Sequence, residues 1–351
     1  MNLFDRIAAF NQLSGIISDT LLYKETAHAE LRQKIENEQI YNTWFIPFFV
    51  EKSLSCIAKM LQEENLKQWT LPYQNEQENQ KIIRRIGVIT AGNIPLVGFH
   101  DFLSVLISGH AFVGKLSSND NRLLPVLAKM LCEIEPSFSN KIEFCSEKLA
   151  PFDKLIVTGD NHTAQHFARY FQKYPLLIRK HCNSVAVLDG SESVEELQSL
   201  ADDMLLYFGL GCRSISKIFV PQNYHFNPLF TALDAYKDIC NAHNKYLNNL
   251  EYQKVTHLIN GIPFLDQGIV LFKENDSLDS PISVIHYEYY ADKEEVVNKC
   301  SLLGENLQCT VSNIRNFPAC FPLGQAQHPK LNDYANNLDT IAFVNFVSNY
   351  D

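Results

Sequence analysis

Several absences in this 351-residue sequence each remove a class of function. No stretch approaches the ~20 consecutive apolar residues of a membrane-crossing helix, so no membrane span is expected. The first residues, MNLFDRIAAF, have neither the basic start nor the apolar block of a signal peptide, which predicts a cytoplasmic chain with reduced thiols. The nine cysteines are odd in number, and no CxxC or paired Cys/His spacing occurs. That argues against both a disulfide framework and a metal centre. A net charge of -10 without any basic run argues against a nucleic-acid partner, because phosphate neutralisation needs clustered Lys and Arg. The three-glycine signature of dinucleotide-binding turns is missing as well. Finally, positions 161–188 contain no Asp or Glu, while Arg169, Lys173, Arg179 and Lys180 make that window basic.

What is present reads as an ordinary globular chain of about two domains, 46% hydrophobic and 20% charged. Its organising stretch is residues 207–221, YFGLGCRSISKIFVP. Upstream, Ser193 and Glu196 form a capping box, and apolar residues from Val194 continue at helical spacing to about Phe208. Gly209 and Gly211 are expected to end that helix in left-handed conformations, and Ile215, Ile218, Phe219 and Val220 to begin a strand closed by Pro221. Cys212 sits on the joint. A thiol next to glycine has room for a substrate and a backbone N–H to stabilise an oxyanion, which makes Cys212 the candidate nucleophile; a buried structural cysteine is the competing reading. A helix C-terminus should raise a thiol pKa, so activation has to come from Arg213 or from elsewhere.

Along the chain, residues 2–65 carry helical spacing, and 67–85 read as an exposed connection or hairpin arm. At Ile86 the texture changes to a βαβ unit: IGVITA, a break at GNIPL, helical FHDFLSVLISG, then AFVGKL. The break places Ala91, Gly92 and Asn93 at the carboxyl end of a strand, where open parallel sheets bind ligands. Lys115, Ser117 and Ser118 follow the second strand. KLIVTG and NHTAQHFARYF form a third unit, joined at Gly159 and Asp160, where a single glycine can admit a phosphate to a helix N-terminus. His162, His166 and His181 keep no ligand spacing with a carboxylate or thiol and read as surface histidines. SVAVL is a further strand, the chain after Pro221 reads as polar and irregular, and residues 281–313 read strand, helix, strand. TIAFVNFV is expected as a last strand, too apolar for an open edge, and therefore covered by a partner in a homodimer or dimer of dimers.

In this order the segments resemble the aldehyde dehydrogenase superfamily, and within it the fatty acyl-CoA reductase branch known from bacterial bioluminescence, the LuxC family. ITAGNIPL stands at the superfamily's Pro-Trp-Asn-Phe-Pro loop, VGKLSS at the Lys-Pro loop, VTGDNHTA at the Gly-Ser-Thr cofactor turn and GLGCRSISKIFV at the catalytic cysteine. SPISVIHYEYYADKEEVV is similar to the segment that begins with Gly-Pro, and PLGQAQ to the closing glycine loop. The resemblance implies an α/β, aldehyde dehydrogenase-like fold: a doubly wound parallel-sheet nucleotide-binding domain plus a smaller α/β catalytic domain, with the active site between them. Expected boundaries are 1–67 for N-terminal helices, 68–187 for the NAD(P)-binding domain with an oligomerisation arm, 188–322 for the catalytic domain and 323–351 for a C-terminal return.

The resemblance further implies that Cys212 is the nucleophile, that the Asn93 amide joins its backbone N–H in an oxyanion hole, that Lys115 binds the adenosine ribose and that Gly159 flanks the pyrophosphate. Ala164 replaces the second glycine of the cofactor turn and Ser280 the glycine of Gly-Pro. The ribose-holding glutamate falls near Ser277, with Asp276 or Asp279 as substitutes. Ser118 replaces a carboxylate kept by many NAD users, which points to NADPH as cofactor, with NADH as the other nicotinamide. The base that oxidising members place before the catalytic helix is missing, since that stretch is LLIRKHCN. An acyl-cysteine would then persist until hydride or the thiol of coenzyme A attacks it, so NADPH-dependent reduction of a fatty acyl-CoA is the expected chemistry. An acyl-phosphate reductase of the same fold, or a non-catalytic binding or structural member, are the alternatives.

Overall fold

A computed structural model describes residues 1–23, 28–74, 82–159 and 167–346. Two compact units are found, Met1–Lys180 with Lys330–Asp351, and His181–Pro329. The first begins with helices α1 (Leu3–Leu22), α2 (Ala29–Tyr41), α3 (Pro47–Met60) and α4 (Glu63–Thr70). A reciprocal Asn2–Asp5 capping box starts α1, and Phe10, Leu13, Leu31, Leu54 and Leu66 carry the helical faces into one core. Helix α4 occupies the start of the supposed exposed connection, because Trp69 is buried and its indole N–H donates to the Tyr334 hydroxyl at 2.9 Å. Of that connection, residues 75–81 lie outside the described residues.

The core then covers a sheet built from β1 (Arg85–Ile89), α5 (Phe99–Ile107), β2 (Ala111–Lys115), α6 (Leu123–Ile134), β3 (Ile142–Phe144), β4 (Lys154–Thr158) and β5 (Leu176–Arg179). The strand order is β3-β2-β1-β4-β5, and every pairing is parallel. The chain enters at the central strand, winds outward on one side and then on the other, so the carboxyl ends of β1 and β4 flank a topological switch point. Arg179 on β5 holds this unit together internally: its guanidinium donates to both carboxylate oxygens of buried Asp101 on α5, at 2.6 and 2.8 Å, and to the Thr340 hydroxyl.

The second unit contains β6 (Asn183–Val187), α7 (Val194–Leu205), β7 (Ile215–Pro221), α8 (Asn227–Leu233), α9 (Lys237–Asn241), α10 (Asn244–Ile259), β8 (Leu265–Asp266), β9 (Leu271–Glu274), β10 (Val284–Tyr290), α11 (Lys293–Leu303) and β11 (Leu307–Val311). Its sheet runs β11-β6-β7-β10-β9-β8, parallel except between β8 and β9. Strand β6, assigned from sequence to the nucleotide-binding domain, pairs instead with β7 and β11, where Val185 and Val187 pack with Phe219 and Val296.

Two more expectations are corrected. The chain after Pro221 forms three helices rather than irregular structure; in α10 the buried positions are only Tyr246, Leu250 and His257, a stripe too narrow to show in composition. The segment TIAFVNFV is also helical over α12 (Thr340–Asn345). Asp339 caps it by accepting from the Ala342 N–H at 2.8 Å, and the Lys154 ammonium donates to its C-terminal carbonyls at Phe343 (2.7 Å), Val344 and Phe346. Ile341 and Val344 are fully buried within their own unit, so the dimer argument drawn from an uncovered terminal strand loses its basis. No helix among the described residues is long and apolar enough to cross a membrane.

Candidate active site

Helix α7 starts at the predicted Ser193–Glu196 capping box but ends at Leu205, earlier than its spacing implies, because Leu206 turns to φ -54, ψ 137. Tyr207, Phe208 and Gly209 follow with φ of 56, 54 and 74°, whereas Gly211 has no positive φ. The left-handed turn therefore falls on two buried aromatic residues and one glycine, a strained conformation held by packing around Phe208, whose ring lies 5.1 Å from that of Tyr246. Because the helix stops this early, its C-terminal dipole, which acts within the last turn, weighs little on Cys212.

Cys212 is half-buried between that turn and β7. Its carbonyl accepts from the Ser184 hydroxyl at 2.9 Å, and Ser184 accepts in turn from the Cys309 thiol at 3.1 Å. Its Sγ lies 3.9 Å from Nδ1 of His181, whose Nε2 lies 3.9 Å from Oδ1 of Asp279. The neighbouring Cys182 is buried, with its thiol 3.3 Å from the Gln308 side-chain oxygen and within hydrogen-bonding reach of the Cys212 sulfur. These contacts hold the Cys212 thiol well below the ordinary thiol range: the Cys182 hydrogen bond is the largest cause, burial opposes it, and His181 adds a second hydrogen bond and a charge. The same hydrogen bond pushes the Cys182 thiol up. His181 is raised, chiefly by its hydrogen bond to Cys212. A thiolate beside an imidazolium is the arrangement of an activated sulfur nucleophile.

Arg213, the activator considered from sequence, is engaged elsewhere, donating from Nε to the Ala326 carbonyl at 2.5 Å with its guanidinium over the Phe321 ring. That closing loop is fixed by Asp203 on α7, fully buried, which accepts from the Gly324 N–H at 2.6 Å and the Ala326 N–H at 2.9 Å. Sequence reasoning passed over Asp203, although a lone carboxylate on the apolar face of α7, next to Met204, signals a buried acceptor. It also dismissed His181 as a surface residue. Its side chain is half-exposed, yet Nδ1 lies against the thiol, and only the pairing of β6 with β7 brings residue 181 to residue 212.

In the first unit, Ala91, Gly92 and Asn93 follow β1, Lys115, Ser117 and Ser118 end or follow β2, and Gly159 follows β4. Three adjacent strands thus deliver the predicted cofactor residues to one sheet edge, at the switch point. The loops interlock. A Cβ on Gly92 would lie 2.5 Å from the Ser117 hydroxyl oxygen, so only glycine permits this approach, and the Ser117 N–H donates to Thr90 Oγ1 at 3.2 Å. Buried Asp120 accepts from the backbone of Leu96 and Val97, tying the second loop to the first, and burial pushes its carboxyl up to about 7. Lys115 donates to the Glu147 carbonyl at 2.6 Å, and Ser118 is exposed. The Gly159 N–H is consumed by the Arg179 carbonyl at 3.2 Å, so it continues the sheet rather than standing free for a phosphate. Asp160, His162, Ala164 and His166 lie outside the described residues. Among the described residues no cluster of His, Cys, Asp and Glu could hold a metal ion.

No protein-family profile matches the chain, and no curated protein does. Solved structures do. An NAD-dependent aldehyde dehydrogenase from Sinorhizobium meliloti superposes with a TM-score of 0.65 at 11% identity, covering 91% of this chain and 72% of that one. An NAD-dependent benzaldehyde dehydrogenase from Corynebacterium glutamicum gives 0.64 at 12% identity, covering 89% and 76%. An aldehyde dehydrogenase from Bacillus cereus, solved as its NAD+ complex, gives 0.59 at 14% identity, covering 90% and 73%. The fold is therefore aldehyde dehydrogenase-like, and at these identities the likeness shows the fold alone.

Proposed function

We propose that the protein reduces an acyl-CoA to the aldehyde with a nicotinamide cofactor, NADPH in preference to NADH, through an acyl-enzyme on Cys212. The observation that carries this reading is the contact of Cys212 Sγ with His181 and Cys182, which supplies a thiolate where the fold's neighbours are named dehydrogenases. The window 161–188 remains without a carboxylate, but the thiol is not without a base, because His181 stands beside it.

In this account Cys212 Sγ attacks the thioester carbonyl, and the Cys212 backbone N–H stabilises the oxyanion. The carbon–sulfur bond to coenzyme A breaks as the carbonyl re-forms, and His181 gives its proton to the departing thiolate. A nicotinamide, when bound, would supply hydride to the acyl carbon. The alkoxide so formed on Cys212 collapses to aldehyde and returns the thiolate, which the Cys182 thiol and His181, reprotonated from water, stabilise as leaving group. Lys115, Ser117 and Ser118 at the edge of the first sheet suit the adenosine ribose and, without a carboxylate at 118, tolerate a 2′-phosphate; Ala91 and Gly92 leave the backbone open to approach. The test is a spectrophotometric screen of acyl-CoAs of graded length, and of acyl phosphates, against NADPH and NADH. Oxidation of nicotinamide with acyl-CoA supports the proposal. Oxidation with acyl phosphate alone favours the acyl-phosphate reductase, and none with either favours a non-catalytic member.

A further inference from the structure

Cys182 leads into β6 and Cys212 into β7, two parallel neighbours in the sheet of the second unit. Ser184 pairs with Ile215 across these strands, and its hydroxyl donates to the Cys212 carbonyl at 2.9 Å, so the residues just upstream of that pair lie against each other. The Cys212 sulfur accepts from both the backbone N–H and the thiol of Cys182. Adjacent strands stand ~4.8 Å apart, inside the ~4.4–6.8 Å separation of Cα atoms that a disulfide bridges. A third thiol, Cys309 on β11, is directed elsewhere and donates to the Ser184 hydroxyl at 3.1 Å.

The two thiols differ in access. Cys182 is 2% exposed, with its thiol 3.3 Å from the Gln308 side-chain oxygen, whereas Cys212 is half-buried and stands 3.9 Å from His181. A small oxidant therefore meets Cys212 first, and the imidazole beside it favours the reactive thiolate. The oxidised sulfur then forms directly against a second one. A hydroxyl at position 182 would serve as well for donating to Cys212; a thiol there can also bond to it covalently.

We propose that Cys182 and Cys212 form a reversible disulfide on exposure to a hydroperoxide, with Cys212 the thiol oxidised first and Cys182 the thiol that resolves it. With hydrogen peroxide, the Cys212 thiolate attacks one oxygen, the O–O bond breaks, and the sulfur becomes a sulfenic acid as hydroxide leaves. The Cys182 sulfur then displaces the sulfenic oxygen: the S–S bond forms, the S–O bond breaks, and the Cys182 proton leaves with the oxygen as water. Counted from two thiols, two electrons and two protons pass to one hydrogen peroxide, which ends as two waters. The bond blocks the nucleophile and stops Cys212 short of sulfinic acid, which thiols do not reverse. A dithiol reductant restores both cysteines by exchange. No acyl donor or nicotinamide takes part, so the inference goes beyond the proposed reaction and does not depend on it.

The reduced full-length protein, treated with a small excess of hydrogen peroxide at neutral pH, is denatured, alkylated with N-ethylmaleimide and followed by intact mass and peptide mapping. The wild type should lose two of its nine alkylated cysteines, with one peptide pair joining Cys182 to Cys212, and dithiothreitol should restore all nine. In Cys182→Ser, which keeps a donor, that disulfide is lost and Cys212 should pass to sulfinic acid instead. Cys309→Ser should form the bond as the wild type does. Where Cys182→Ser does not fold, the wild-type connectivity and Cys309→Ser decide the question. A disulfide mapped to Cys309 or any other cysteine, nine alkylated cysteines after peroxide, or sulfinic acid on Cys212 as readily in the wild type as in Cys182→Ser overturns the assignment, whatever the enzyme activity.

Discussion

Nδ1 of His181 stands 3.9 Å from Sγ of Cys212, bringing the segment that leads into β6 against the segment that leads into β7. Both partners shift in the sense of an ion pair, the thiol down and the imidazole up. Alkylation of Cys212 by iodoacetamide, measured against pH, should therefore reach its plateau well below the ordinary thiol pKa of ~8.5. His181→Ala should move the midpoint up by about one unit, and Cys182→Ala should move it further, because the Cys182 hydrogen bond is the larger cause. Cys182→Ser, which keeps a donor, should move it least. Midpoints that coincide in all four proteins contradict the pairing.

Asp120 ties the two loops at the edge of the first sheet, and its folded-state pKa is raised to about 7 from an ordinary 3.8. A raised carboxyl binds its proton more tightly in the folded state, so its contribution to stability is largest below pH ~4 and declines as pH rises toward about 7. Denaturant unfolding of wild type and Asp120→Asn at pH 5 and pH 8 isolates this group. The wild type should lose more stability than the variant between the two values; parallel losses mean that Asp120 does not titrate in this window.

The Asp101–Arg179 pair is buried on both sides, at 4% and 5% side-chain exposure. Asp101→Ala leaves a buried guanidinium uncompensated and should destabilise the first unit by about 3–5 kcal/mol. Urea unfolding followed by Trp44 and Trp69 fluorescence reads this directly. A loss under about 1 kcal/mol shows the pair to be hydrated.

Ser118 is exposed in the loop that follows Lys115 at the end of β2. If this edge binds the adenosine ribose, Ser118→Glu should weaken NADPH relative to NADH by about tenfold, the ~1.4 kcal/mol expected of one like-charge contact near a surface. Titration of protein fluorescence with each nucleotide measures it. Equal losses for both nucleotides place the ribose elsewhere.

Much of this architecture is legible along the chain where local signals are strong. The capping box at Ser193, the strand from Ile215 and the break after β1 are all local, and each stands where its residues predict. What failed was non-local. TIAFVNFV has β-branched and aromatic residues suited to a strand, but Asp339 at its start and Lys154, far away in sequence, at its end make it a helix. His181 carries no local signal of function, since it is half-exposed and lies within a basic window, and only sheet register brings it to Cys212. The glycine count at the joint was likewise a poor guide, because packing holds Tyr207 and Phe208 in the conformations that glycine was expected to supply.

The central claim is that Cys212 carries the acyl group, and intact-mass analysis after mixing the protein with hexanoyl-CoA, without nicotinamide, tests it most directly. The account predicts release of about one equivalent of coenzyme A, a mass increase of one hexanoyl group mapped to Cys212, discharge as aldehyde on addition of NADPH, and none of these in Cys212→Ala. An unmodified mass at every chain length, or an acyl group mapped to another residue and retained in Cys212→Ala, would contradict it.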